Sequence, residues 1–141
     1  MTAKEFLRHV RTLDRRVDAA TERTERLRAM LEAGRMSRIT GMPRGGSGDW
    51  TITADSLIML EQRENAEIRE MVRWKLAAKD AISRVRASSQ REVLELYYLN
   101  GYTWPQVARY MGYKDVRWVH ELHGRALKKV QVPKEFLEKA L

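Results

Sequence analysis

Phe6, Val10, Leu13, Val17, Ala20, Thr24, Leu27 and Leu31 alternate four and three residues apart near the start of the chain. At 3.6 residues per turn this spacing draws one apolar stripe along one face of a helix, with Arg and Glu over most of the remainder. No proline interrupts it, so the pattern predicts a helix over 3–33, roughly 45 Å long at 1.5 Å per residue. A helix that long cannot bury its stripe within itself. It needs a partner helix, as a coiled-coil seam does.

Residues 34–52 hold five of the chain's eight glycines and are expected to form a flexible loop. The piece Gly45-Gly46-Ser47-Gly48 lacks the Gly-Lys-Ser/Thr ending of a phosphate loop and has no strand before it. A second helix is expected over 53–87, capped by Thr53 or Asp55. Its stripe is Leu57, Ile58, Ile68, Val72, Leu76 and Ile82, widened by Met71, Trp74 and Val85. Two long helices joined by a flexible loop predict an antiparallel hairpin, paired within one chain or across a homodimer. Glu61, Glu64, Glu67 and Glu70 recur every three residues, so they sweep around the helix instead of converging on a metal. They belong to a solvated face.

The remainder reads as short helices. Ser89 and Glu92 have capping-box spacing, and Asn100-Gly101 is a stop signal. Thr103 and Gln106 make a second capping box, with Pro105 in the first turn where a missing N–H does no harm. This helix is expected to end at Gly112. Asp115 can cap a third helix running to about Val130, and Pro133 admits a short terminal one. The expected fold is all-α: a helical hairpin over 1–88, then a helix-turn-helix domain over 89–141.

Burying Val107, Ala108, Met111, Val119 and Leu122 leaves Arg117, Glu121, Arg125 and Lys128 on the outward face of the third helix, with Lys114 at its entry. Such a face is where a helix-turn-helix meets the major groove. Arginine binds guanine O6 and N7 bidentately, so Arg117 is the first choice for a base contact; Glu121 could accept from cytosine N4 or pair with Arg117 or Arg125. Arg125, Lys128 and Lys129 suit phosphate. Trp118 and His120 sit at the border of this face, and Thr103 and Gln106 at the start of the preceding helix complete the expected DNA contacts. Two registers are open at Trp118. If Val119 and Leu122 anchor the helix, Trp118 lies at the boundary; if Trp118 is itself the anchor, the face rotates by about 100°. Tyr97, Tyr98 and Trp104 are expected in the core. His120 and His123 lack a third ligand nearby, which argues against zinc.

The run "REVLELYYLNGYTWPQVARYMGY", followed by "VHELHGRALKKV", resembles region four of bacterial sigma factors. It is more similar still to small phage and prophage late transcriptional regulators of the ArpU/RinA type, through Tyr98, Leu99, Gly101, Trp104, Val107, Ala108, Met111, Gly112, Tyr113 and Leu122–Leu127. The likeness covers 89–130 closely and 1–88 in architecture alone. It implies a sequence-specific regulator of transcription bound to double-stranded DNA. Alternatives are a sigma-like factor docking on RNA polymerase and a DNA-packaging component like a small terminase subunit.

Charge agrees with a polyanionic partner: the net charge is +8, spread as +4 over 1–40, +1 over 41–88 and +3 over 89–141. With no cysteine there is no disulfide, thiolate metal site or cysteine nucleophile. No nucleophile–base pair or cofactor fingerprint is evident, so neither an enzyme nor a cofactor is expected. Without an apolar run of about 18 residues or a secretory leader, the expectation is a cytoplasmic protein that does not enter the membrane.

Overall fold

The computed structural model describes residues 1–39 and 54–137, the side chains of 35–39 excepted. The fold is all-α, with no strand among the described residues. Helix α1 spans Ala3–Ile39, α2 Ala54–Ser83 and α3 Ser88–Leu94, which continues as a π-helical turn over Glu95–Leu99; α4 spans Trp104–Met111, α5 Val116–Leu127 and α6 Lys134–Leu137. Among the described residues no helix is long and apolar enough to cross a membrane.

Two compact units divide the chain: Met1–Asp14 with Glu70–Leu141, and Arg15–Arg69. The boundary expected at residue 88 therefore falls inside the first unit. Its reason is packing. Phe6, Leu7 and Val10 of α1 share a buried core with Trp74, Ala78 and Ile82 of α2 and with Val93, Leu94, Tyr98, Val107, Val119 and Phe136. Phe6, Trp74 and Phe136 meet ring to ring, with centroids 4.5–5.6 Å apart. The short α6 is held by this contact. Propensity alone would not sustain a single helical turn.

In the second unit Val17, Thr24 and Leu57 are buried. Arg28 pairs with Glu61 at 2.7 Å, and the Thr21 hydroxyl donates to Glu64 at 3.1 Å. Later residues of α1 thus meet earlier residues of α2. The expected α1 stripe is buried or half-buried from Phe6 to Leu31. Helix α1 also runs five residues past Gly34 into the stretch expected to be loop. One glycine costs a helix only about 1 kcal/mol, which Arg35 to Ile39 tolerate. Residues 40–53, with Gly45-Gly46-Ser47-Gly48 and Thr53, lie outside the described residues.

Three local expectations change. Ile58, Val72 and Leu76 of the α2 stripe are exposed, at 50%, 43% and 63%. The expected Leu57, Trp74, Ile82 and, just past the helix, Val85 are buried, and Ala78 and Ala81 join them on the buried edge. Helix α2 stops at Ser83, short of the expected residue 87. Ser89 is not a cap: α3 starts after Ala87 with no side-chain cap bond, and the Arg91 guanidinium donates to the carbonyls of Val85 at 2.7 Å and Arg86 at 2.9 Å.

The end of α3 is bound from a distance. In the π-helical turn Asn100 N–H reaches back five residues to the Glu95 carbonyl, and Gly101, at φ 75°, turns Tyr102 N–H onto the Leu96 carbonyl. Carbonyls past a helix end need outside donors. Arg11, 8% exposed, donates to the carbonyls of Tyr97 and Tyr102 and lies 3.9 Å over the Tyr97 ring. Replacing Arg11 with Ala strands those carbonyls and removes a buried guanidinium, so it should cost roughly 2–4 kcal/mol in chemical denaturation. The exposed neighbour Arg8→Ala should stay within about 0.5 kcal/mol of wild type.

Candidate nucleic-acid interface

The segment 103–127 is assembled by local caps. Thr103 and Gln106 form a reciprocal capping box: Gln106 N–H donates to Thr103 Oγ1 at 3.3 Å, and Thr103 N–H to Gln106 Oε1 at 2.9 Å. Pro105 lies in the first turn of α4, as its missing N–H permits. At the other end Gly112 takes φ 78°, and Tyr113 N–H donates to the Ala108 carbonyl at 2.8 Å. This is the left-handed glycine ending in which the chain turns back over the last carbonyls. Asp115 then caps α5, accepting from Arg117 N–H at 2.9 Å.

Burial sets the rotation of α5. Val119, His123 and Ala126 are buried, and Val130 beyond the helix end is 8% exposed. They follow one another four, three and four residues apart, a single edge of a helix. Trp118 is 57% exposed, so α5 is anchored through Val119 and not through Trp118. All nine residues expected at the interface, Thr103, Gln106, Lys114, Arg117, Trp118, His120, Glu121, Arg125 and Lys128, are exposed. Lys129 joins them.

These side chains are not equivalent. Arg117 Nη2 pairs with Asp115 Oδ2 at 3.0 Å, and Arg125 Nη2 with Glu121 Oε1 at 2.8 Å. Bonds from the backbone N–H and the guanidinium of Arg117 hold the Asp115 carboxyl below its ordinary range, so it remains ionised. Thr103 and Gln106 satisfy each other within the cap. Lys114, Lys128 and Lys129 stand outside the ion pairs described. The surface is thus a helix face of paired arginines, with lysines at its two ends that form no ion pair among the described residues.

Behind that face runs a column of rings. Tyr97 stacks on Trp104 at 3.7 Å with the planes 11° apart, and Trp104 meets His120 at 4.9 Å and His123 at 4.7 Å. Tyr98 is buried, while Tyr97 and Trp104 are half-buried against the core. His123 shares a 2.6 Å hydrogen bond with the Tyr98 hydroxyl, joining the edge of α5 to the π-helical turn. Nothing in the sequence pairs these two residues, 25 positions apart; Tyr98 is an ordinary core aromatic until α5 is placed. Arg11 has no sequence signature either, since its charge excludes it from an apolar stripe. The Asp115–Arg117 spacing of two residues was the one readable clue to the clamp at the start of α5.

Among the described residues no three His, Asp or Glu side chains gather to hold a metal ion. No family model, curated protein or solved structure matches the chain.

Burial, followed by the positive charges of Lys4, His120 and Arg8, pushes the His123 imidazole down to about 4. Burial likewise pushes the Tyr98 hydroxyl up to about 12, so the pair is neutral at pH 7. Above pH 6.5 His123 is neutral both folded and unfolded. Between 6.5 and 4 the unfolded chain takes up a proton that the folded one refuses, so stability falls as pH drops through that window, by up to about 3 kcal/mol. Denaturant midpoints from pH 7 to 4 should show this fall. The His123 ring signals in NMR should titrate near pH 4, and titration near 6.5 would refute a buried neutral imidazole.

Proposed function

We propose that this protein is a sequence-specific double-stranded DNA-binding regulator of transcription, of the phage or prophage type its tail resembles. In this reading α4, the turn at Gly112 and α5 are a helix-turn-helix of the sigma-region-four kind, and α5 enters the major groove. The observation that carries it is the rotation of α5: Val119, His123 and Ala126 are buried while Arg117, Glu121, Arg125 and Lys128 are exposed. A helix held by one edge on a small core and bearing polar side chains on the other is the form in which such motifs present themselves to a duplex. The net charge of +8 favours a polyanion.

Roles follow from chemistry. Arg117 contacts a base, and Lys114, Lys128 and Lys129 grip phosphates on either side, supplying affinity without sequence information. The two long helices act as an antiparallel hairpin, a reading supported by the Arg28–Glu61 and Thr21–Glu64 pairings. A homodimer through the hairpin would set two copies on a two-fold related site.

In gel-shift titrations binding to duplex DNA should weaken steeply as salt rises. Arg117→Ala should lose roughly 1–3 kcal/mol on the preferred site and relax one base position, whereas Lys128→Ala should weaken all sequences alike and lower the salt slope by about one. An Arg117→Ala loss that is equal on every sequence would contradict the base contact.

A further inference from the structure

We infer that Asp115 is the positioning residue of Arg117, a single carboxylate that caps α5 and holds the guanidinium for a guanine edge in preference to phosphate. The inference rests on the DNA-binding reading above and names what that face selects. Its basis is the division of labour within one side chain. Oδ1 of Asp115 accepts from the backbone N–H of Arg117 at 2.9 Å, and Oδ2 accepts from the guanidinium of the same residue at 3.0 Å.

An exposed ion pair ordinarily contributes little, because two long side chains must be ordered to make it. Here half of that ordering is already done. The cap immobilises the carboxylate whether or not the guanidinium is present, and aspartate has a short side chain. The arginine therefore meets a partner fixed in the frame of the helix. Its side chain is 82% exposed, so the donors not engaged by Asp115 remain open to a ligand.

Charge then decides the kind of ligand. A phosphate attracts a cation through its net charge, and Arg117 beside Asp115 has that charge offset at 3.0 Å. The O6 and N7 atoms of guanine are neutral acceptors and reward directed N–H groups. Pairing thus weakens Arg117 as a phosphate grip and leaves it competent as a base reader. Lys114, Lys128 and Lys129 have no such partner among the ion pairs described and keep the phosphate role. Arg125, tied to Glu121 at 2.8 Å, repeats the arrangement two turns further along, without the cap.

The test removes the charge and keeps the cap, since serine and asparagine both cap helices well. Asp115→Ser and Asp115→Asn in the full chain would be compared with wild type by selection from random duplexes and by binding across a salt series. Thermal unfolding would accompany both as a check that the fold is kept. Either variant should lose about tenfold in preference for guanine over other bases at one position. Its log affinity should also fall more steeply with log salt, by about 0.9, as a freed Arg117 neutralises one phosphate. A merely structural cap would move neither quantity in a folded variant. Unchanged base preference in both variants, with or without tighter binding, overturns the role given to Asp115 while leaving the DNA reading intact. If wild type itself selects no sequence, the DNA reading fails, and the inference with it.

Discussion

A buried guanidinium organises the unit that bears the candidate interface. Arg11 comes from the first helix, yet it closes the end of α3 by donating to the carbonyls of Tyr97 and Tyr102 and covering the Tyr97 ring. Tyr97 in turn stacks on Trp104, the first residue of α4, and Trp104 abuts His120 and His123 of α5. One side chain thereby closes the end of α3 and backs the ring column on which α4 and α5 rest. A charge removed from water is tolerable when its donors are taken up by carbonyls that would otherwise be orphaned, and here each need answers the other.

How far the fold could be read from sequence depended on how local its determinants were. The capping box of Thr103 and Gln106, the left-handed Gly112 and the Asp115 cap lie within a few residues of what they control, and each stands where its spacing placed it. Ser89 had the same kind of signature and failed: α3 starts after Ala87 with no side-chain cap, and Arg91 reaches back to the carbonyls of Val85 and Arg86 in the junction between α2 and α3. The α2 stripe was legible in part: Leu57, Trp74, Ile82 and Val85 are buried as expected, while Ile58, Val72 and Leu76 are exposed. Val72 and Leu76 are more hydrophobic than Ala78 and Ala81, yet the small residues are buried and the large ones exposed, so hydrophobicity alone does not set which positions face the core. The π-helical turn and the Tyr98–His123 bond have no sequence signature; both appear only when α5 closes on α3. At the candidate site the outward placement of Arg117, Glu121, Arg125 and Lys128 followed from periodicity, whereas the choice between the two registers at Trp118 and the ion pairing needed coordinates.

That pairing changes how the outward face should be regarded. Counted as charges, α5 and its flanks are simply basic. Arranged in space, Arg117 and Arg125 are each offset by a carboxylate of their own segment, and among the described residues the lysines at the ends are not. Such a surface is better suited to directed hydrogen bonds at its centre and to charge attraction at its margins. On the proposed reading this order would set directed donors against base edges in the middle of the groove and charge against the phosphates on both sides.

The central claim, that the outward face of α5 meets duplex DNA, is most directly tested by mapping backbone amide shifts in NMR as a selected duplex is titrated in. The account predicts that the changes concentrate on Lys114, Arg117, Trp118, His120, Glu121, Arg125 and Lys128, with smaller effects at the start of α4. Shifts confined to α2 or to the second unit, with α5 unmoved, would contradict it.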